Sequence, residues 1–108
     1  EKFVSIIGAA YKKNIDDIRE SPFLEFIKIL KKKKINFNFH DPYVDEISLN
    51  KKKIKSKKIN LNFFKKSLVK ILITDHDCIN YDFIRKNSKF IIDTRGRFKY
   101  DNKKIFAA

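Results

Sequence analysis

Four places in this sequence set residues able to do chemistry just behind a short apolar run. They are Ala10-Tyr11-Lys12, His40-Asp41-Pro42, Thr74-Asp75-His76 and Asp93-Thr94-Arg95. Polar residues end most strands, so the informative feature is the pair of cations. Lys12 is a compact charge for a phosphate oxygen, and Arg95 is a planar fork that can hold two oxygens. Tyr11 adds a ring on which a base can pack. Together they point to an anionic, nucleotide-like ligand.

The first of these stretches is no dinucleotide fingerprint. That signature is Gly-x-Gly-x-x-Gly, which lets the backbone approach a pyrophosphate. Here Gly8 stands alone, followed by Ala9 and Ala10. The chain is therefore not expected to hold NAD in the usual Rossmann manner. Other titratable residues read as structural. Asp16 and Asp17 are neighbours on a loop with no acid–base partner in sight. Asp17 is expected to pair with Arg19 or to cap backbone N–H groups. His40 and His76 read as strand-end hydrogen-bonders, and Cys78 as a small, semi-buried residue. Two His and one Cys are too few and too scattered for a closed zinc site. No metal and no catalytic residue is expected.

The elements that must position these residues can be read from periodicity. Phe3 to Ile7 is a short apolar run ending at Gly8, a buried strand. Residues 9–20 are polar and read as a loop. Ser21-Pro22 opens a helix, with Ser as N-cap and Pro where its missing N–H costs nothing. Phe23, Phe26, Ile27 and Leu30 give that helix one apolar face. Glu20 and Glu25 near its start and Lys31 to Lys34 near its end complement the helix dipole. Ile35, Phe37 and Phe39 alternate with Asn36, Asn38 and His40, a half-buried strand that Asp41-Pro42 ends. Residues 43–60 carry little pattern. KKKIKSKKI reads as a solvated loop or the surface of a short helix, with Lys51 to Lys53 and Lys57-Lys58 a solvated face. Leu61 to Lys66 supplies one or two helical turns, Leu68 to Ile73 a strand, Tyr81 to Lys86 a short helix and Phe90 to Ile92 a strand. Ile105-Phe106 reads as a last short strand and Ala107-Ala108 as a frayed end. Strands alternating with helices predict an α/β fold, three-layer and Rossmann-like, with a mostly parallel sheet flanked by helices. Ligands of such sheets sit outside the carboxyl ends of the strands.

Composition sets the bounds. The 108 residues suit a single domain over 1–108, since domains commonly run ~100–150 residues. No apolar stretch approaches the ~20 residues of a membrane span. A lone cysteine favours a reducing, cytoplasmic setting. The chain lacks an initiator Met, which points to sequence upstream. The net charge is +13. Lys is spread over several segments alongside equally inflated Ile and Asn, so a compositional habit explains it better than a polyanion-binding face. A basic nucleic-acid-binding module remains the alternative, with affinity that falls steeply with salt. A remnant that folds and binds nothing is the third reading.

The run Gly8-Ala9-Ala10-Tyr11-Lys12-Lys13-Asn14-Ile15-Asp16-Asp17-Ile18-Arg19-Glu20-Ser21-Pro22 resembles the opening of the third domain of the UDP-glucose/GDP-mannose dehydrogenase family. His40-Asp41-Pro42-Tyr43-Val44, Ile73-Thr74-Asp75-His76 and Asp93-Thr94-Arg95 resemble the ends of that domain's later strands. The likeness covers most of residues 3–97 in the right order. Tyr at position 11 and KKNIDDIRESP are most similar to the branch acting on UDP-N-acetylhexosamines. The resemblance implies an NAD-dependent parent enzyme that oxidises a sugar C6 alcohol to a carboxylate. It implies that Tyr11, Lys12 and Arg95 contact the UDP-sugar, with Arg97 a possible second arginine contact. It implies that Arg19 reaches the NAD site of another domain and that the parent is a homo-oligomer. The family's Gly-rich NAD-binding domain and its central domain with the catalytic Cys have no counterpart here. Cys78 lies in a different context from that Cys. The isolated chain is expected to be inactive.

Overall fold

In chain order the elements are β1 (Phe3–Ile7), α1 (Pro22–Lys32), β2 (Asn36–His40), β3 (Glu46–Leu49), β4 (Lys52–Lys55), α2 (Leu61–Lys65), β5 (Val69–Leu72), α3 (Tyr81–Lys86), β6 (Phe90–Asp93) and β7 (Ile105–Ala107). The computed structural model describes residues 3–19, 21–65, 67, 69–98 and 104–107. Five strands form one sheet in the order β2-β1-β5-β6-β7, and every neighbouring pair is parallel. The chain leaves β1 for one side of the sheet and later returns to its other side at β5. The order thus reverses at β1, and that reversal opens a crevice at the carboxyl ends of the strands.

Alternation along each strand sends successive side chains to opposite faces. Ile6, Ile71 and Phe39 meet Phe23, Ile27 and Leu30 of α1 on one face. Ile7, Leu72 and Ile91 meet Phe63, Phe64, Ile79 and Ile84 on the other. These are the three layers that the sequence predicts. Helix α1 begins where expected, with the Ser21 side chain accepting the Phe23 N–H and Pro22 in the first turn. It ends in a Schellman pattern, Ile35 N–H to Leu30 O and Lys34 N–H to Lys31 O, with Lys34 at φ 58° where Gly is usual. Glu20, placed near the helix start from sequence, lies outside the described residues, as do Lys66, Leu68 and Ala108.

Two sequence readings are corrected. The run KKKIKSKKI is not a loop or short helix throughout, since its residues Lys52–Lys55 form β4, which pairs antiparallel with β3 from Glu46↔Lys55 to Leu49↔Lys52. Asn50 and Lys51 turn the hairpin at φ 53° and 65°, positive at both central positions as a type I′ turn requires. Ile47 and Leu49 are buried against the α1 layer, while the lysines point to solvent. Ala107 is not frayed either; it pairs with Asp93. Helix α1 packs on β1 and β2. Toward β5 and β6 that face opens as an apolar groove of about 660 Å³, lined by Phe26, Ile29, Ile71, Ile73 and Ile92 among others. No helix among the described residues is long and apolar enough to cross a membrane.

The opposite layer buries a charge that periodicity hides. Lys70, in the middle of β5, is 1% exposed. Its ammonium donates to the carbonyls of Phe64 and Ser67 behind α2 and lies 5.1 Å from the Phe64 ring centre. Burial lowers its pKa from 10.5 to about 8. Between those values the unfolded chain binds more protons than the folded one, so Lys70 makes stability rise with pH there. The gain over that window is up to about 3 kcal/mol. Urea unfolding at pH 7.5 and pH 10 should show that rise in the wild type and lose it in Lys70→Met. Equal pH slopes in the two proteins would refute the assignment.

Candidate functional site

Gly8 ends β1 at φ 95°, donates to the His40 carbonyl and backs directly onto Thr74. The chain then enters a buried stretch whose backbone groups are all taken. The N–H groups of Ala9 and Ala10 donate to Asp41 Oδ2 at 2.7 and 3.0 Å. Their carbonyls accept from Ser21 Oγ and Thr74 Oγ1, each at 2.6 Å. One dipeptide is thus fastened by side chains from the ends of β2 and β5 and from the cap of α1. Asp41 Oδ2 also accepts from His76 Nε2 at 2.8 Å, and both side chains are wholly buried. Asp41 Oδ1 accepts from Tyr43 N–H. His76 Nδ1 faces the Asn14 N–H at 2.7 Å, so that nitrogen accepts and the ring proton is assigned to Nε2. Asn14, at φ 64°, exchanges hydrogen bonds with Asp77 through both ends of its amide. Between these anchors Tyr11, Lys12 and Lys13 are exposed.

The other wall is the end of β6. Asp93, 3% exposed, accepts the N–H groups of Arg95 and Gly96 on Oδ1 and that of Phe98 on Oδ2. This turn aims Arg95 back over β5, where Nε donates to the Ile73 carbonyl at 2.8 Å. Arg97 goes elsewhere: it lies 3.0 Å from Asp77 and 3.7 Å from Asp75, 4.7 Å from the Tyr81 ring centre. Lys13 also approaches Asp77, at 3.8 Å. Hydrogen bonds from Asn14 and then Arg97 hold the Asp77 carboxyl below its ordinary pKa. Burial pushes the Tyr81 phenol up, and its O–H donates to the His76 carbonyl. Among the described residues, Lys12 and Arg95 are left at this end of the sheet with no carboxylate partner.

The structure thus places Tyr11 and Lys12 on the loop after β1 and Arg95 on the loop after β6, both at the carboxyl end of the sheet with β5 between them. Arg97 is beside them but engaged by acids. Arg19 is 87% exposed along its side chain and forms a fork with its own near neighbour Asp17. Asp17 also accepts the Arg19 N–H, so the structural reading of Asp17 holds. His40 and His76 are hydrogen-bonders as expected; His40 Nδ1 meets the Lys57 carbonyl at 2.6 Å. Burial lowers the His40 pKa. Cys78 is corrected: it is exposed rather than semi-buried, because Ile79 takes the inward position in that turn. Sequence reasoning placed Asp41 at a strand end and read it as ending the strand, but missed its hold on the Ala9 and Ala10 N–H groups. The available signal was the repetition of an acid or His behind three of the four strand ends read from the sequence.

A parallel sheet whose strand order reverses at β1 defines an open α/β domain of the class that takes ligands at the carboxyl ends of its strands. More particularly, residues 5–100 match the profile of the UDP-glucose/GDP-mannose dehydrogenase family, UDP binding domain, and the chain belongs to that family. A UDP-N-acetyl-D-mannosamine dehydrogenase of Methanococcus vannielii is 29% identical over 100 residues, 85% of this chain and 22% of the relative. The solved UDP-D-ManNAc dehydrogenase of Pyrococcus horikoshii superposes with a TM-score of 0.75 at 25% identity, covering 99% of this chain and 25% of that one. An NDP-N-acetyl-D-galactosaminuronic acid dehydrogenase from Methanosarcina mazei shares the fold, with a TM-score of 0.74 at 20% identity over 99% of this chain and 24% of its own. The chain therefore spans about a quarter of the length of the solved relatives it matches.

Proposed function

We propose that this chain, as a single domain over 1–108, binds the UDP part of a nucleotide sugar for a larger NAD-dependent 6-dehydrogenase. The observation that carries the reading is that Lys12, next to exposed Tyr11, and Arg95 have no carboxylate partner among the described residues at this end of the sheet. Phosphates bind through side chains here, because the Ala9 and Ala10 N–H groups that would form a backbone cradle are spent on Asp41. The same fact removes a dinucleotide pyrophosphate cradle from this loop, so NAD would be held by polypeptide outside the chain. Arg19 is its one proposed contribution to that cofactor, and Arg97 a secondary contact to substrate. The parent oxidises the sugar C6 alcohol to a carboxylate, with UDP-N-acetylhexosamine the favoured substrate. It is a cytoplasmic homo-oligomer supplying polysaccharide precursors. The chain alone is inactive.

Titration of the isolated chain with UDP, followed by NMR, is the test. Localised shifts at Tyr11, Lys12 and Arg95 are expected, with uridine alone binding far more weakly because the cations act on phosphate. Diffuse shifts with a DNA duplex that vanish with salt, and none with UDP, would replace this reading by the basic-module alternative.

A further inference from the structure

The exposed turn Tyr11–Lys13 is held by the Tyr11 N–H on the Asp17 carbonyl, by the Ser21 and Thr74 hydroxyls on the Ala9 and Ala10 carbonyls and by Asn14 on Asp77. Each flank also has a backbone hydrogen bond that ends on one buried pair. On the entry side Asp41 Oδ2 accepts from Ala9 and Ala10; on the exit side His76 Nδ1 accepts from Asn14. His76 Nε2 closes the circuit on Asp41 at 2.8 Å. Both side chains have no exposed surface, so neither reaches a ligand. We infer that Asp41 and His76 are positioning residues: together they set the shape of the Tyr11–Lys13 turn and with it the reach of Lys12 toward a diphosphate. The inference rests on the nucleotide-binding reading of that turn.

The chemistry demands these two side chains. Asp41 accepts on both oxygens, from Ala9, Ala10 and His76 on Oδ2 and from Tyr43 on Oδ1. An Asn there has one acceptor oxygen, so in either orientation its NH₂ confronts an N–H donor. His76 must accept on one side of its ring and donate on the other. Gln can reproduce the donor at Nε2 and Asn the acceptor at Nδ1, but neither reproduces both. The sheet does not depend on the pair: Gly8 N–H to His40 O and Ile73 N–H to Ile7 O join the strands at this end without it. Tyr43 covers the imidazole at 4.8 Å between ring centres, which keeps the pair dry.

The experiment compares wild type, Asp41→Asn, His76→Gln and His76→Asn by UDP titration and amide exchange. Ile84→Val, which trims the core on the opposite face of the sheet, is the control. Each Asp41 or His76 variant should weaken UDP binding about ten-fold, the order of one lost hydrogen bond. Each should also speed amide exchange over Tyr11–Asn14. His76→Gln should disturb Asn14 most, and His76→Asn should disturb Ala9 and Ala10 most. Ile84→Val should lose thermal stability and leave both UDP affinity and turn exchange alone. Folded His76 variants with wild-type exchange in the turn would overturn the inference. So would an Ile84→Val protein that loses as much UDP affinity as they do. If Asp41→Asn fails to fold, the His76 pair decides. If wild type does not bind UDP, the nucleotide reading fails by itself, and the exchange rates of Tyr11–Asn14 still decide whether the pair positions the turn.

Discussion

Replacing Gly8 with Ala is expected to cost about 2–4 kcal/mol of folding stability, enough to leave much of a small domain unfolded. The added Cβ would lie 2.5 Å from the backbone N and O of Thr74 and from its Cβ, and Gly8 sits at φ 95°. Two costs therefore add: a left-handed conformation that Ala resists, and a collision with backbone that cannot swing aside. Thr74 cannot retreat cheaply, because its hydroxyl holds the Ala10 carbonyl and its N–H and that of Ile73 face the Ile7 carbonyl. Gly96→Ala is the control. Gly96 also has positive φ, 72°, but an added Cβ there meets nothing within 4 Å. Only the conformational cost applies, roughly 1 kcal/mol. Urea midpoints for the two variants measure the difference. Equal, small losses would mean that the β1–β5 junction is not close-packed at Gly8.

The sequence made the main frame legible where local chemistry and burial agree. Ser21-Pro22 marked the start of α1 because capping is a property of adjacent residues. The Phe/Asn alternation marked β2 because period two is the geometry of a strand with one face buried. The hairpin β3–β4 was illegible for a specific reason. Its type I′ turn is Asn50-Lys51, not the Asn-Gly that announces such turns, and its second strand presents Lys52, Lys53 and Lys55 around one half-buried Ile54. Lys70 was hidden by its setting: one Lys within an apolar run looks like a solvent-facing position, yet α2 covers that face and supplies carbonyls to receive it.

The candidate site was legible in its exposed residues and illegible in its support. Tyr11, Lys12 and Arg95 each follow a strand, and the carboxyl ends of parallel strands lie at one edge of the sheet, so topology alone puts all three at that edge. Asp41 contacts Ala9 and Ala10 across 32 and 31 positions of chain, and His76 across 35. No local periodicity records such pairings. The same holds for the division of labour between the arginines: sequence offers Arg95 and Arg97 two positions apart, and only the fold shows that Asp75 and Asp77 claim the second.

That division gives the sharpest expectation for binding. Arg95→Ala should weaken UDP binding roughly 10–100-fold, the worth of a charge-assisted hydrogen bond of ~1.5–3 kcal/mol. Arg97→Ala should cost only a few-fold, because its guanidinium is already held by Asp77 and stacked on Tyr81. The two losses should also differ in kind. Removing Arg97 uncovers the charges of Asp75 and Asp77 near the anion, a repulsion through solvent that salt screens over about 10 Å at 0.1 M. Added salt, or Asp75→Asn in the same protein, should therefore restore most of what Arg97→Ala loses. Neither should rescue Arg95→Ala, where the loss is a directed contact to the ligand. Arg95→Lys should fall between, keeping the charge and losing the fork. Calorimetric titration of UDP at two salt concentrations separates these cases. A larger, salt-insensitive loss in Arg97→Ala than in Arg95→Ala would exchange the two roles and move the phosphate subsite from the end of β5 toward Tyr81.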